Sequence, residues 1–273
     1  MAVDSTRPAR AHAVRQFTVA TYNVHSCVGL DRRRDPGRIA EVIAELDADI
    51  VALQEVDSRR GGRAGHAIDQ FDYLAKATGL EPAPGPNLVT HQGSFGNVLL
   101  SRWPLSEVLR RDISVDRREP RGAVGVRIAA GEHRLWVVAT HLGLSLRERR
   151  RQVGGLLELM ELEDGADGMV LLGDLNEWRR NGGTLAPLAE VLRPLPALPS
   201  FPSWRPLLPL DRIFVAGGIR LGSAKVHRSR LARIASDHLP VRARLEWAAA
   251  PAAEPDMVAG VAPGDDGSPA PAS

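Results

Sequence analysis

Apolar and polar residues change period repeatedly along this chain, and the changes mark out elements. Residues 17–23 (FTVATYN) form a β-branched and aromatic run that predicts a strand. Asp35 before Pro36 reads as a helix N-cap with proline at the first helical position, and Ile39, Val42, Ile43 and Leu46 then recur at helical spacing. DIVALQEV (49–56) is the next strand, and a second amphipathic helix runs from about Asp69 to Thr78, where Gly79 stops it. Strands follow at NVLLS (97–101), AVGVRI (123–128) and RLWVVATH (134–141). Ser145 caps a long helix reaching about Leu162, and MVLLGD (169–174), DRIFV (211–215) and PVRARLEW (240–247) complete the strands.

The strand ends carry a second pattern. VATYN and its following helix lead to VALQEVD, whereas VVATH and its helix lead to VLLGDLN. Asn23 and Glu55 lie 32 residues apart, and His141 and Asp174 lie 33 apart. Two β-helix-β halves thus each place two polar groups at the carboxyl ends of apolar strands, the edge where α/β sheets bind ligands. The matched pair reads as a duplication whose halves would pack face to face. Residues 1–15 read as a loose arm, 16–248 as one domain, and 249–273, rich in Ala, Pro, Gly and Asp, as a disordered tail.

Composition changes this picture little. The formal charge is +2, but residues 249–273 hold four acids and no lysine or arginine, so the body carries 35 basic against 29 acidic residues, or +6. With only two lysines, that charge is almost all arginine, which suits an anionic substrate and equally a GC-rich genome. The single cysteine, Cys27, excludes an internal disulfide framework and a cysteine-based zinc cluster. The first residues hold arginines with no apolar run behind them and no run is long enough to cross a bilayer. A cytoplasmic location, without membrane insertion or an obligate protein partner, is therefore expected.

Singly, the polar groups are ambiguous. Glu55 at a strand end could hold a hard cation such as Mg²⁺ or Mn²⁺, or merely meet solvent. Asp174 and Asn176 could orient a water and a phosphoryl oxygen, or make an Asx-turn. Asp237 and His238 before Pro240 could be a turn, or a histidine awaiting a carboxylate such as Asp211. Asn23 and His141 are weaker still alone.

Together, TYNVH, LQEVD, GNVLLSRWPL, ATHLGL, GDLNEW, LDRIFV and SDHLPV, in this order over residues 21–241, resemble the endonuclease/exonuclease/phosphatase (DNase I-like) superfamily. The resemblance implies an α/β four-layer α/β/β/α sandwich of two packed mixed sheets and a Mg²⁺- or Mn²⁺-dependent phosphoesterase. It makes Glu55 the principal metal ligand with Asn23 and Asp237 beside it. Asp174 would orient or deprotonate the attacking water and Asn176 would hold a phosphoryl oxygen. Asp211 would orient His238, which with His141 would face the phosphate.

Glu119 is a candidate to orient His141, and Arg121 a candidate phosphate contact. Trp178, Phe201 and Trp204 are candidates for the rim of the site. For a nuclease, RERRR (147–151) would supply phosphate contacts; the alternative is a solvated helix face. A nucleic acid and a small or lipid-derived phosphodiester both stay open as substrates, with a silent scaffold of the same fold as the third reading.

Overall fold

The computed structural model describes residues 14–59, 68–162, 165–179 and 183–248. The expected tail at 249–273, and nearly all of the expected arm, lie outside the described residues. Twelve strands form two six-stranded sheets. In chain order they are β1 (Gln16–Asn23), β2 (Ile50–Asp57), β3 (Glu81–Thr90), β4 (Gly93–Ser101), β5 (Leu105–Asp112) and β6 (Gly122–Ala130). The rest are β7 (His133–His141), β8 (Gly168–Asp174), β9 (Arg193–Pro194), β10 (Asp211–Gly217), β11 (Ile219–Val226) and β12 (Val241–Trp247). One sheet runs β11-β12-β1-β2-β4-β3 and the other β5-β6-β7-β8-β10-β9. Only β1·β2 and β7·β8 are parallel.

Both parallel pairs are joined by a helix: α1 (Pro36–Leu46) and α3 (Leu146–Glu161). The shorter helices are α2 (Gln70–Thr78), α4 (Ala186–Val191) and α5 (Ala232–Ala235). The expected caps form, Asp35 accepting from the Arg38 N–H and Ser145 from Glu148, and Asp69, expected as the start of α2, caps it by accepting from Phe71 and Asp72. Gly79 ends α2 in the left-handed conformation (φ 68°). The α1 stripe is fully interior, and each such Ile or Leu contributes about 1.5–3 kcal/mol.

Three cores separate four layers. Phe17, Val19, Ile50, Ala52, Leu135, Val137, Val170, Leu172, Ile213 and Val215 fill the space between the sheets. Ala20, Tyr22, Val51 and Leu53 pack under α1 and α2. Trp136, Val138, Leu171 and Phe214 pack under α3 and α4. The sandwich is therefore α/β/β/α. Cys27 is buried in the α1 layer, where burial pushes its thiol up to about 12. Among the described residues, no helix is long and apolar enough to cross a membrane.

Four strands, β3, β5, β9 and β11, depart from the sequence expectation, and all four are sheet edges. An edge strand need not alternate cleanly and tolerates proline and charge. β3 carries Pro82, Pro84 and Pro86 on alternate positions, which leaves its pairing to β4 intact and blocks a further strand.

Candidate active site

The rows of apolar residues between the sheets end in polar ones. Phe17 and Val19 lead to Asn23, Leu135, Val137 and Ala139 lead to His141, and Val170 and Leu172 lead to Asp174. Side chains two apart on a strand share a face, so each terminal group points toward the opposite sheet. Asp211 begins the corresponding row of Ile213 and Val215, and lies opposite Asp174 in the β8·β10 ladder.

Glu55 does not follow this rule. Plain alternation after Val51 and Leu53 would aim it at the helices. A bulge between Leu53 and Val56 inserts one residue, Val56 takes the helix-side position, and Glu55 adopts φ 58°. The bulged carboxylate then meets the Asn23 amide, whose nitrogen donates to Glu55 Oε1 at 2.9 Å and to Asp174 Oδ2 at 3.0 Å. That amide ties the two sheets together. The Asn23 oxygen accepts from the His25 N–H at 3.0 Å, so Asn23 reaches the carboxylates as a donor. The turn that supplies this N–H holds His25, Ser26 and Cys27 all at positive φ, a strained run of the kind found at functional sites.

Asp174 makes the Asx-turn and also faces two imidazoles. Asp174 Oδ1 accepts from the Asn176 N–H at 3.1 Å, while its Oδ2 lies 3.5 Å from His141 Nε2 and 3.6 Å from His238 Nε2. Gly173 makes this approach feasible: a Cβ there would sit 1.9 Å from the Thr140 carbonyl. Asn176, expected to hold a phosphoryl oxygen, has its amide nitrogen directed to Leu142 O (2.8 Å) and His141 Nε2 (3.1 Å). The amide braces the ring. Glu119 does not serve His141; its carboxylate accepts from Arg121 Nη2 at 2.9 Å.

The two imidazoles differ in charge. Burial holds His141 neutral, down to about 3, with Arg121 and His238 adding to the effect against Asp174. Burial opposes charge on His238 too, but Asp211 and Asp174 outweigh it and raise the ring to about 10. Asp211 Oδ2 lies 2.9 Å from His238 Nδ1 and also accepts from Ser200 at 2.5 Å. Phe201 lies against the His238 ring, centroids 4.7 Å apart.

Glu55 is raised above the usual carboxylate range, chiefly by burial and further by Asp174 and Asp237. Among the described residues its hydrogen-bond donor is Asn23, and no arginine or lysine pairs with it. Three mutually repelling carboxylates near one half-buried point fit a hard divalent cation bound by oxygen. Asp237 stays partly open, 3.9 Å from His25 Nδ1, and accepts from Ser236 at 3.3 Å. Asp174, Asp211 and His238 also bring ligand atoms within 4.8 Å of one another. A protonated ring has no lone pair for a metal, so that trio is better read as a proton-holding chain.

The arginine run at 147–151 divides. Arg147, Arg150 and Arg151 are exposed, but Arg149 is only 1% exposed. Its guanidinium donates to Gly143 O, Leu144 O and Thr184 Oγ1 and pairs with buried Glu177 at 3.5 Å. It clamps the loop after His141 to the loop after Asn176. The sequence reading offered Arg149 as a phosphate contact or solvated face rather than a buried clamp, and missed Glu177, Ser200 and Ser236, whose hydroxyl donates to Asn23 O at 2.8 Å. Buried serines and ion pairs leave no mark in a one-dimensional pattern, although Glu177 inside GDLNEW was a polar residue with no assigned task. Trp178 (51% exposed) and Trp204 (63%) stand on loops leading from Asn176 and toward Asp237.

Comparison with known proteins agrees with this fold. Residues 20–238 match the endonuclease/exonuclease/phosphatase family. The uncharacterized protein YbhP of Escherichia coli K12 is 32% identical over 248 residues, covering 84% of this chain and 96% of that one. A crystal structure of an endonuclease/exonuclease/phosphatase from Beutenbergia cavernae superposes with TM-score 0.70 at 26% identity, covering 88% of this chain and 73% of that one. A mannosyl-6-phosphatase from Bacteroides thetaiotaomicron shares the fold at TM-score 0.68 and 20% identity, over 85% and 100% of the two chains. The chain belongs to the endonuclease/exonuclease/phosphatase family.

Proposed function

We propose that this protein is a divalent-metal-dependent phosphodiesterase of nuclease type, hydrolysing a phosphoester at the edge where the two sheets meet. The observation that carries the reading is the Asn23 amide bridging Glu55 and Asp174 across the sheets, beside one charged and one neutral imidazole. Glu55 and Asp237 would hold Mg²⁺ or Mn²⁺, which would supply Lewis-acid stabilisation of phosphoryl charge, and the Asn23 amide would orient the Glu55 carboxylate.

Hydrolysis needs a positioned water, neutralisation of spreading charge and a proton for the leaving oxygen. Asp174 accepts the proton of the attacking water, for which general-base help is worth roughly 10²–10⁴-fold. His238, kept charged by Asp211, faces the phosphoryl oxygens or the leaving group as cation and acid. His141, neutral and fixed by Asn176, donates or accepts a hydrogen bond without adding charge. Trp178 and Trp204 offer exposed rings to the groups flanking the phosphate.

The test is purified protein with Mg²⁺, Mn²⁺ or a chelator against plasmid DNA, single strands, bis-p-nitrophenyl phosphate and phospholipid. Metal-restored cleavage of a diester, lost in Asp174→Asn, is expected. Chelator-insensitive cleavage, or none of any substrate, would overturn the proposal.

A further inference from the structure

The hydrogen-bonding capacity of Arg121 exceeds what the protein uses. Its side chain is 4% exposed. Its backbone is pinned, with the N–H donating to Ser114 Oγ at 3.0 Å and the carbonyl accepting from the Ile113 N–H at 3.0 Å. Nη2 meets Glu119, but Nε and Nη1 have no partner among the described residues. A buried guanidinium with unmet donors is costly, and groups of this kind call for an explanation.

Arg121 lines a cavity of about 280 Å³ together with Asn87 of β3, Arg110 and Arg111 of β5, and Gly122 at the start of β6. Asn87 Oδ1 is likewise buried without a partner among the described residues. It lies so near Gly122 that a Cβ there would be 2.5 Å from it, so glycine is what admits the amide. The other polar groups of the lining have partners: Arg110 Nε donates to Pro84 O at 2.7 Å, Arg111 pairs with Glu158, and Asp112 accepts from the Ser114 N–H at 2.9 Å. Arg121 Nε and Nη1 and Asn87 Oδ1 are thus buried, unpartnered atoms on residues that line one cavity.

The cavity adjoins the catalytic edge without coinciding with it. The Gly122 carbonyl accepts from the Thr140 hydroxyl at 3.1 Å, and Thr140 immediately precedes His141. Adjacent strands are about 4.8 Å apart, so a group held beside β6 lies at least one strand spacing from a phosphate facing His141. A guanidinium matches phosphate oxygens in number and direction of donors.

We infer that this cavity is an accessory subsite in which Arg121 and Asn87 bind a second, non-scissile phosphate of the substrate and a hydroxyl or N–H next to it. The inference rests on the phosphodiesterase reading for its choice of phosphate, and it makes the preferred substrate one that carries two phosphates a few bonds apart.

The probes are thymidine 3′,5′-bisphosphate and thymidine 5′-monophosphate, titrated calorimetrically into the full chain with Mg²⁺. The bisphosphate is expected to bind at least about tenfold more tightly, as one charge-assisted contact provides. Arg121→Met should erase that advantage while leaving monophosphate affinity close to wild type, and Asn87→Ala should reduce it partly. Should Arg121→Met fail to fold, Arg121→Lys keeps the charge, loses the planar fork and should retain only part of the preference. Equal affinity of the two probes in the wild type, or a preference that survives loss of the guanidinium, would overturn the subsite. Binding of these probes needs no turnover, so the two ideas fail separately. A preference in a protein that cleaves nothing would sink the phosphodiesterase reading alone. No preference in an active enzyme would sink the subsite alone.

Discussion

The two halves of the molecule share a frame and differ in what they do with it. The first half is the β11–β12 hairpin, β1-α1-β2, and then β3 and β4; the second is the β5–β6 hairpin, the parallel pair β7-α3-β8, and then β9 and β10. The first half is thus completed only by the C-terminal hairpin. In the second, His141 stands directly opposite Asp174. In the first, Asn23 stands opposite Gln54, and the carboxylate comes one residue later, on the bulge. Both halves also anchor the loop after their first strand with an arginine from the first turn of the crossover helix. Arg38 pairs with Asp31 on that same loop, at the surface. Arg149 pairs with Glu177 on the loop after the second strand, in the interior. A repeated frame therefore sets where side chains can converge, while local departures decide which chemistry converges there.

The largest expected effects come from removing one carboxylate from each half. Asp174→Asn should lower turnover roughly 10²–10⁴-fold with substrate affinity little changed, because its work is confined to the transition state. Glu55→Gln should nearly abolish hydrolysis and also weaken Mg²⁺ or Mn²⁺ binding by calorimetry. Wild-type metal affinity and turnover in Glu55→Gln would remove the bulge from the chemistry.

The arginine clamps come next. Arg149→Met strands Glu177 in the interior and should cost about 3–5 kcal/mol in denaturant unfolding. Arg38→Met, whose partner is solvated, should cost only a small part of that. Equal losses would show that the position of the partner carboxylate is immaterial.

A smaller effect separates the imidazoles. Asp211→Asn removes the charge that raises His238, so the ring should titrate about 1–3 pH units lower by NMR while His141 stays neutral. The sign follows from loss of a neighbour that favours the protonated form. An unmoved His238 titration would break the proposed pairing. Least of all, Trp204→Ala should raise KM a few-fold without changing stability, and exposed Arg150→Ala should change unfolding by less than about 0.5 kcal/mol. If Arg150→Ala abolished cleavage, the surface half of the 147–151 run would have to join the site.

Legibility followed burial. Strands such as β1, β2, β7 and β8 lie inside the sheets, must be apolar, and could be read from the chain. The edges β3, β5, β9 and β11 have one side free, so proline and charge are tolerated there and the pattern fades. The residues of the site were legible for the same reason: a polar group closing an apolar row, as at Asn23, His141 and Asp174, interrupts a strong signal.

By itself, then, the sequence determined the inner strands, the capped helices α1, α2 and α3, the duplicated spacing and the polar groups at the strand ends. Their partners were decided only in three dimensions. The bulge that turns Glu55 toward Asn23, the Asn176 amide on His141, the proton held on His238 and the Arg149–Glu177 clamp all depend on atoms far apart in the chain. Side-chain periodicity reports which face a residue occupies, because it depends on neighbours two to four positions away. Charge state and hydrogen-bond partner depend on what the other sheet brings within about 3–4 Å, and no local pattern encodes that distance.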